Sequence, residues 1–251
     1  MILGQKYWKK ANKIIPGGTM LFSKNPDLFL PNLWPAYFSK AKGCTIWDLE
    51  KKKYIDISTM SVGACTLGYA NDDIDKEVIK KIKLGNMSSL NNYEEIQLAE
   101  YLIDLHKWAD MVKFARSGGE ANAIAVRIAR AASIKKNIAV CGYHGWHDWY
   151  LSGKLNKSND LESFLFSNVP HEGVQNNLKN TIYTFEYNNI AQLKNLISRR
   201  DIGIIKMEVS RNEEPENNFL KEIRKICHRK NIILIFDECT SGFRKTFGGL
   251  H

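Results

Sequence analysis

Long apolar runs are missing from this sequence, and so are paired cysteines. Nowhere along its 251 residues do enough apolar residues follow one another to span a bilayer, and Met1 to Lys13 carries no uninterrupted apolar stretch. The reading is of a cytoplasmic protein with no membrane partner. The five cysteines, Cys44, Cys65, Cys141, Cys227 and Cys239, are odd in number, widely separated and contain no C-x-x-C pair, which argues against both a disulfide framework and a zinc site. There is no internal repeat or low-complexity tract, so solenoids and disordered arrays are set aside. Dense arginine is also lacking. The formal net charge of +9 is scattered through Lys51-Lys52-Lys53, Lys80-Lys81 and Arg199-Arg200, which alternate with acidic residues, whereas a phosphate-binding groove concentrates arginine among aromatics. No nucleic-acid partner is expected. The hydrophobic content, 44%, suits a folded chain with a sizeable core.

The most informative stretch is Phe114-Ala115-Arg116-Ser117-Gly118-Gly119-Glu120-Ala121-Asn122. It is a Gly-Gly turn between the short apolar run Met111 to Ala115, expected to be a strand, and a helix whose apolar residues recur at Ile124, Ala125, Ile128, Ala129 and Ala132. Paired glycines let a backbone approach a bound group closely, and the amides of a first helical turn favour an anion. A phosphate is the natural occupant. The plain alternative is a capping box, in which the Ser117 hydroxyl caps the helix and Glu120 reaches back to the Ser117 amide.

Elsewhere the pattern sets out a mixed chain. Tyr7, Trp8, Ala11, Ile14 and Ile15 suggest a helix ended by Pro16-Gly17-Gly18, and an irregular aromatic-rich segment runs from Met20 to Phe38. Residues 44–48 and 54–57 alternate as a hairpin, and helices are expected at about Asp73 to Lys83 and Glu94 to His106. From Met111 the order becomes strand, helix, strand, with apolar strands at Ile138 to Cys141, Ile202 to Val209 and Ile232 to Phe236, and a helix at Phe219 to His228. Continuous apolar strands alternating with helices predict an α/β fold with a mainly parallel sheet covered on both faces. Ligands in such sheets bind at the carboxyl ends of the strands, and three polar clusters stand there: Arg116 to Asn122, Gly142 to Asp148 and Asp237 to Arg244.

Asp237 follows five apolar residues, so its carboxylate sits at the lip of a buried strand and needs a cation. An arginine, a metal or a protonated heterocycle of a ligand would serve, and so would a plain salt bridge to Arg244. The aromatic stretch Gly142 to Tyr150 could stack on a planar ligand. His144-x-x-His147-Asp148 has metal-ligand residue types, but no partner segment repeats the spacing, so no metal is assigned.

Taken in order, Ser117-Gly118-Gly119-Glu120-Ala121, Tyr143-His144-Gly145 and Asp237 to Arg244 resemble the class III aminotransferases, and especially the glutamate-1-semialdehyde 2,1-aminomutase branch. Pro16-Gly17-Gly18, Trp47-Asp48 to Asp56 and Leu67-Gly68-Tyr69 extend the resemblance over essentially the whole chain. It implies pyridoxal 5'-phosphate on a fold type I scaffold, a small amino or keto substrate, and a homodimer. It further implies residues 1–60 as small-domain material and 61–251 as part of the large cofactor-binding domain. Carried over, it sets the cofactor phosphate on Ser117, Gly118 and Gly119, Tyr143 against the pyridine ring, Cys239 on the opposite ring face, and Asp237 on the protonated ring nitrogen. Glu208 matches the glutamate of the family's Glu-Pro motif.

The sequence departs from that pattern in places. Gly119 replaces a common threonine, Val209 stands where proline is usual, Asn212 lies one residue closer to Glu208 than the family asparagine, and no Asn-Ser-Pro-Val-Arg run follows Gly18. The lysine that holds the cofactor covalently in the family has no counterpart before His251, and Lys245 reads as an exposed loop lysine. The sequence therefore reads as the N-terminal portion of an aminotransferase or aminomutase. A catalytically inactive remnant of the same fold and a metal-dependent hydrolase using His144, His147, Asp148 and Asp237 are the other readings.

Overall fold

The computed structural model describes residues 2–58, 60, 63–156, 169–210 and 212–251. The chain divides into two compact units, Met1–Tyr93 and Glu94–His251.

In the first unit, helix α1 spans Leu3–Ile14 and buries Trp8 and Ala11 on one side. It stops where Gly17 and Gly18 both take positive φ, which glycine adopts without strain. A three-stranded antiparallel sheet follows, formed by β1 (Phe38–Lys42), β2 (Thr45–Asp48) and β3 (Lys53–Ile55). The hairpin expectation holds for β2 and β3, whereas β1, which starts at the last residue of the segment read as irregular, was not foreseen. Asp48 closes the hairpin: Oδ1 accepts from the Glu50 and Lys52 amides, both at 2.9 Å, and Oδ2 accepts from the Tyr54 hydroxyl at 3.0 Å. Helix α2 (Asp72–Leu84) starts at Asn71, whose side chain accepts from the Asp73 and Ile74 amides.

The second unit carries the site. Helix α3 (Glu94–Leu105) precedes α4 (Gly118–Ala132), β4 (Asn137–Cys141), α5 (Asp148–Leu151), β5 (Ile182–Thr184), α6 (Ile190–Arg199), β6 (Ile202–Glu208), α7 (Phe219–Lys230) and β7 (Ile233–Asp237). The four strands pair in parallel in the order β5-β4-β6-β7. Side chains alternate between the two faces of a strand. Ala139, Cys141, Ile205 and Met207 pack with Leu193, Phe219 and Ile223 of α6 and α7, while Ile138, Val140 and Ile204 pack with Val126 and Ala129 of α4 and with Trp149 and Tyr150. Ile233 and Ile235 lie against the second group, so the same parity assigns Lys206, Glu208 and Asp237 to the α4 face.

Two expectations are corrected. Residues 111–115 form no strand among the described residues: with no strand beside them, their amides make no ladder, and Val112 and Phe114 instead line a depression against α3. The buried side of α4 is Val126 and Ala129, and Ile128 is 58% exposed, because the helix presents a different edge to the sheet from the one its apolar count suggested. Strand β5 and helix α6 were not foreseen, since β5 is too short to show a period.

Gly203 is the tightest backbone approach in the sheet: a Cβ there would strike the carbonyl oxygen of Lys135 and the Ser133 hydroxyl. Gly203→Ala is expected to cost about 1–3 kcal/mol, as overpacking against backbone does. Urea denaturation checks this, and an unchanged midpoint would contradict the contact.

Candidate functional site

Parallel pairing brings the ends of three neighbouring strands to one edge. The register sets Cys141 opposite Met207 and Glu208 opposite Asp237, so the loops after β4, β6 and β7 start side by side. The first turn of α4 is tied to the same edge through Asn122, whose Nδ2 donates to the His144 carbonyl at 3.3 Å and whose Oδ1 accepts from Lys206 Nζ at 2.6 Å.

Ser117 is the N-cap of α4. Its backbone is extended and its hydroxyl accepts from the Glu120 amide at 3.3 Å, as the capping-box reading expects. The reciprocal half differs: Glu120 Oε2 accepts from the Arg116 amide at 2.7 Å, one residue earlier than expected. The first helical bond runs from the Ala121 amide to the Ser117 carbonyl, and no described residue accepts from the Gly118 or Gly119 amides. Both glycines are closely approached. A Cβ on Gly118 would lie 2.7 Å from Cys239 Sγ, and one on Gly119 would lie 3.0 Å from the His147 ring. Gly145, at φ +100°, would bring its own Cβ within 3.3 Å of Gly119 Cα. The loop after β4 thus packs directly on the start of α4, which leaves no room for a threonine side chain at position 119 without displacing His147.

Asp237 ends β7 and is 7% exposed. Its Oδ2 accepts from His144 Nδ1 at 2.9 Å and from Lys206 Nζ at 3.2 Å, and its Oδ1 accepts from the Cys239 amide at 3.0 Å. A carboxylate only accepts, so His144 carries its proton on Nδ1. Burial alone would push the Asp237 carboxyl up; the His144 hydrogen bond and the Lys206 charge outweigh it and hold the group well below the usual carboxylate range. Burial pushes His144 and Lys206 down, against the pull of Asp237. The salt bridge to Arg244 is not made: Arg244 Nη1 donates to the Gly242 carbonyl at 2.8 Å.

The remaining expected residues gather around this carboxylate. The Tyr143 amide donates to Glu208 Oε2 at 2.9 Å, and Thr240 Oγ1 donates to Glu208 Oε1 at 3.3 Å, so the buried Glu208 clasps the loops after β4 and β7 together. Gly142, at φ +104°, has the Glu208 side chain where a Cβ would be. Cys239 lies against Gly118, and the Tyr143 ring is 37% exposed. Lys245 pairs with Glu214 at the surface. His147 stacks on Trp146, with ring centroids 4.9 Å apart, while His144 is turned onto Asp237. Among the described residues no three His, Cys, Asp or Glu side chains converge as metal ligands would.

Two residues were missed from sequence, Lys206 and Asn122. Lys206 had a signal: it interrupts an otherwise apolar strand, and an ammonium there has to find an anion across the sheet. Asn122 sat inside the singled-out stretch, but nothing local distinguishes an amide that reaches a neighbouring strand from one that faces water.

The donors and acceptors fit a phosphorylated pyridine cofactor. Helix-start amides without a protein acceptor suit a phosphate, and a buried, ionised carboxylate at a strand end suits a ring nitrogen. The family model described as aminotransferase class-III matches residues 31–249. A 3-aminobutyryl-CoA aminotransferase of Cloacimonas acidaminovorans is 31% identical over 96% of this chain and 56% of its own length. A glutamate-1-semialdehyde 2,1-aminomutase of Campylobacter hominis is 35% identical over 95% of this chain and 53% of its own length. Among solved structures, an omega-transaminase from Sphaerobacter thermophilus superposes with a TM-score of 0.83 at 24% identity, covering 99% of this chain and 57% of that one, so the fold is that of the fold type I transaminases. The chain spans a little over half the length of the curated relatives it matches.

The His144–Asp237 contact sets a pH dependence. Both groups have folded pKa values below their unfolded ones, so the unfolded chain takes up protons first, and stability is full above about pH 6.5 for His144 and about pH 3.9 for Asp237, and is lost as pH falls. His144→Gln keeps an N–H toward Asp237 but cannot titrate. Denaturation midpoints of this variant are expected to vary less between pH 7 and pH 5, roughly the range below an unperturbed histidine. A slope equal to that of the parent would exclude His144 as the titrating group.

Proposed function

The chain belongs to the class III aminotransferases, a pyridoxal-phosphate-dependent family, and from that premise we propose that it forms the N-terminal, cofactor-binding portion of an aminotransferase or aminomutase acting on a small amino or keto compound. The observation that carries this is the ionised Asp237 carboxylate, buried at the end of β7 beside the glycine-rich start of α4. In this reading Ser117, Gly118 and Gly119 hold the phosphate and Asp237 pairs with the ring nitrogen. Tyr143 and Cys239 flank the ring, and Glu208 fixes the loop that carries Tyr143. Bound there, pyridoxal 5'-phosphate supplies an electron sink for the negative charge that develops on the substrate carbon. His144 keeps Asp237 oriented and unprotonated, and the packed glycines exclude side chains from the phosphate cradle.

The reading extends to the assembly. Residues 1–60 are taken as small-domain material and residues 61–251 as part of the large domain. In this reading the full enzyme is a homodimer, as the family resemblance implies, and acts in the cytoplasm.

Two substitutions test the assignments. Asp237→Asn in the full-length enzyme should abolish transamination while leaving some cofactor bound, and near-normal turnover would sink the ring-nitrogen role. Gly118→Val adds bulk where a Cβ alone already meets Cys239 Sγ at 2.7 Å. Hydrogen bonds to charged groups are worth about 1.5–3 kcal/mol, so losing one phosphate amide should weaken cofactor binding about tenfold or more by calorimetry. Unchanged affinity would return Ser117 to Glu120 to a plain helix cap.

A further inference from the structure

Lys206 is fully buried in the middle of β6, on the same sheet face as Asp237. An ammonium out of water is tolerated only when paired and hydrogen-bonded, and Lys206 has Asn122 Oδ1 at 2.6 Å and Asp237 Oδ2 at 3.2 Å. The carboxylate that the cofactor reading assigns to the ring nitrogen therefore already has a resident cation. We propose that Lys206 is a positioning residue that holds Asp237 in place and lowers the proton affinity of the ring nitrogen bound there, relative to a site with Asp237 and His144 alone. This rests on the cofactor reading above.

The physical reason is charge balance. A protonated ring nitrogen arriving at Asp237 would be a second cation sharing the Asp237 charge with Lys206, and a nearby like charge disfavours the charged form. The other groups facing this point do not remove the conflict. Burial pushes both His144, from the loop after β4, and Lys206 down, but Lys206 starts from a far higher ordinary value and its ammonium is held by the Asp237 carboxylate and the Asn122 amide oxygen. Glu208 of β6 is a second buried carboxylate whose charge also acts on Lys206, but it is held by the Tyr143 amide and the Thr240 hydroxyl, whereas Lys206 is hydrogen-bonded to Asp237 itself. Burial and the neighbouring Asp237 charge push the Cys239 thiol up, which keeps it neutral, and Arg244 adds positive charge nearby. From α4 the facing group is the uncharged Asn122, while Glu120 is turned to the Arg116 amide. The ring nitrogen thus meets a carboxylate whose charge is partly spent, which weakens the electron sink and gives the chain's own residues control over it.

The test uses pyridoxamine 5'-phosphate labelled with nitrogen-15 in the ring, which binds without covalent attachment, added to the full protein and to Lys206→Met and Lys206→Gln. The ring-nitrogen chemical shift followed against pH reads its proton affinity directly. Both variants are expected to raise that affinity about tenfold to a thousandfold, the range a neighbouring charge commands, and to bind the ligand at neutral pH at least as tightly as the parent. Glutamine retains polar contact with Asn122, so a purely structural role for Lys206 would leave Lys206→Gln close to the parent, and that result would overturn the inference. Loss of ligand binding in Lys206→Gln alone would overturn it too. If the parent itself fails to bind the ligand, the cofactor reading falls and the inference falls with it.

Discussion

A negative charge at the end of a buried strand cannot stand alone, and much of the second unit is arranged around the need to match the charge on Asp237. Three separate segments answer it: the loop after β4 sends His144, the middle of β6 sends Lys206, and the backbone just after β7 folds back to offer the Cys239 amide. Lys206 in turn recruits Asn122 from α4, which also binds the His144 carbonyl. The carboxylate therefore fixes the relative positions of one helix start and three strand ends. Removing one partner from such a cluster leaves an uncompensated charge, which is generally far more costly than never having built it.

The second constraint is closeness. Gly118, Gly119, Gly142 and Gly145 are small where Cys239, His147, Glu208 and Gly119 respectively approach them. Two of these glycines, Gly142 and Gly145, also take positive φ, which other residues rarely adopt. The same lack of side chains that lets the loop after β4 lie on the start of α4 leaves helix-start amides unoccupied by any described acceptor. Gly119 gives to His147 the space that a side chain would take.

Much of this was legible in advance, for reasons that can be traced to particular residues. The strands β4 and β6 are buried almost throughout and β7 is mostly half-buried, and all three read as largely apolar runs, broken in β6 by Lys206, so that parallel pairing follows from the helices between them. The Ser117 cap and the exposed burial state of Lys245 follow from local rules alone. The need of Asp237 for a cation was readable from its place in the sequence, but the identity of the cation was not, because the partners lie 93 and 31 residues away and only the sheet register sets them on one face. The run Met111 to Ala115 looked like a strand because composition describes what a segment suits, while strand formation requires a neighbour to pair with.

The most direct test of the account is a crystal structure of the protein with pyridoxamine 5'-phosphate. The account predicts the ring nitrogen within hydrogen-bond distance, about 3 Å, of an Asp237 carboxylate oxygen, the phosphate on the Gly118 and Gly119 amides, and Lys206 still on Oδ2. A phosphate bound elsewhere, or a ring nitrogen turned away from Asp237, would contradict it.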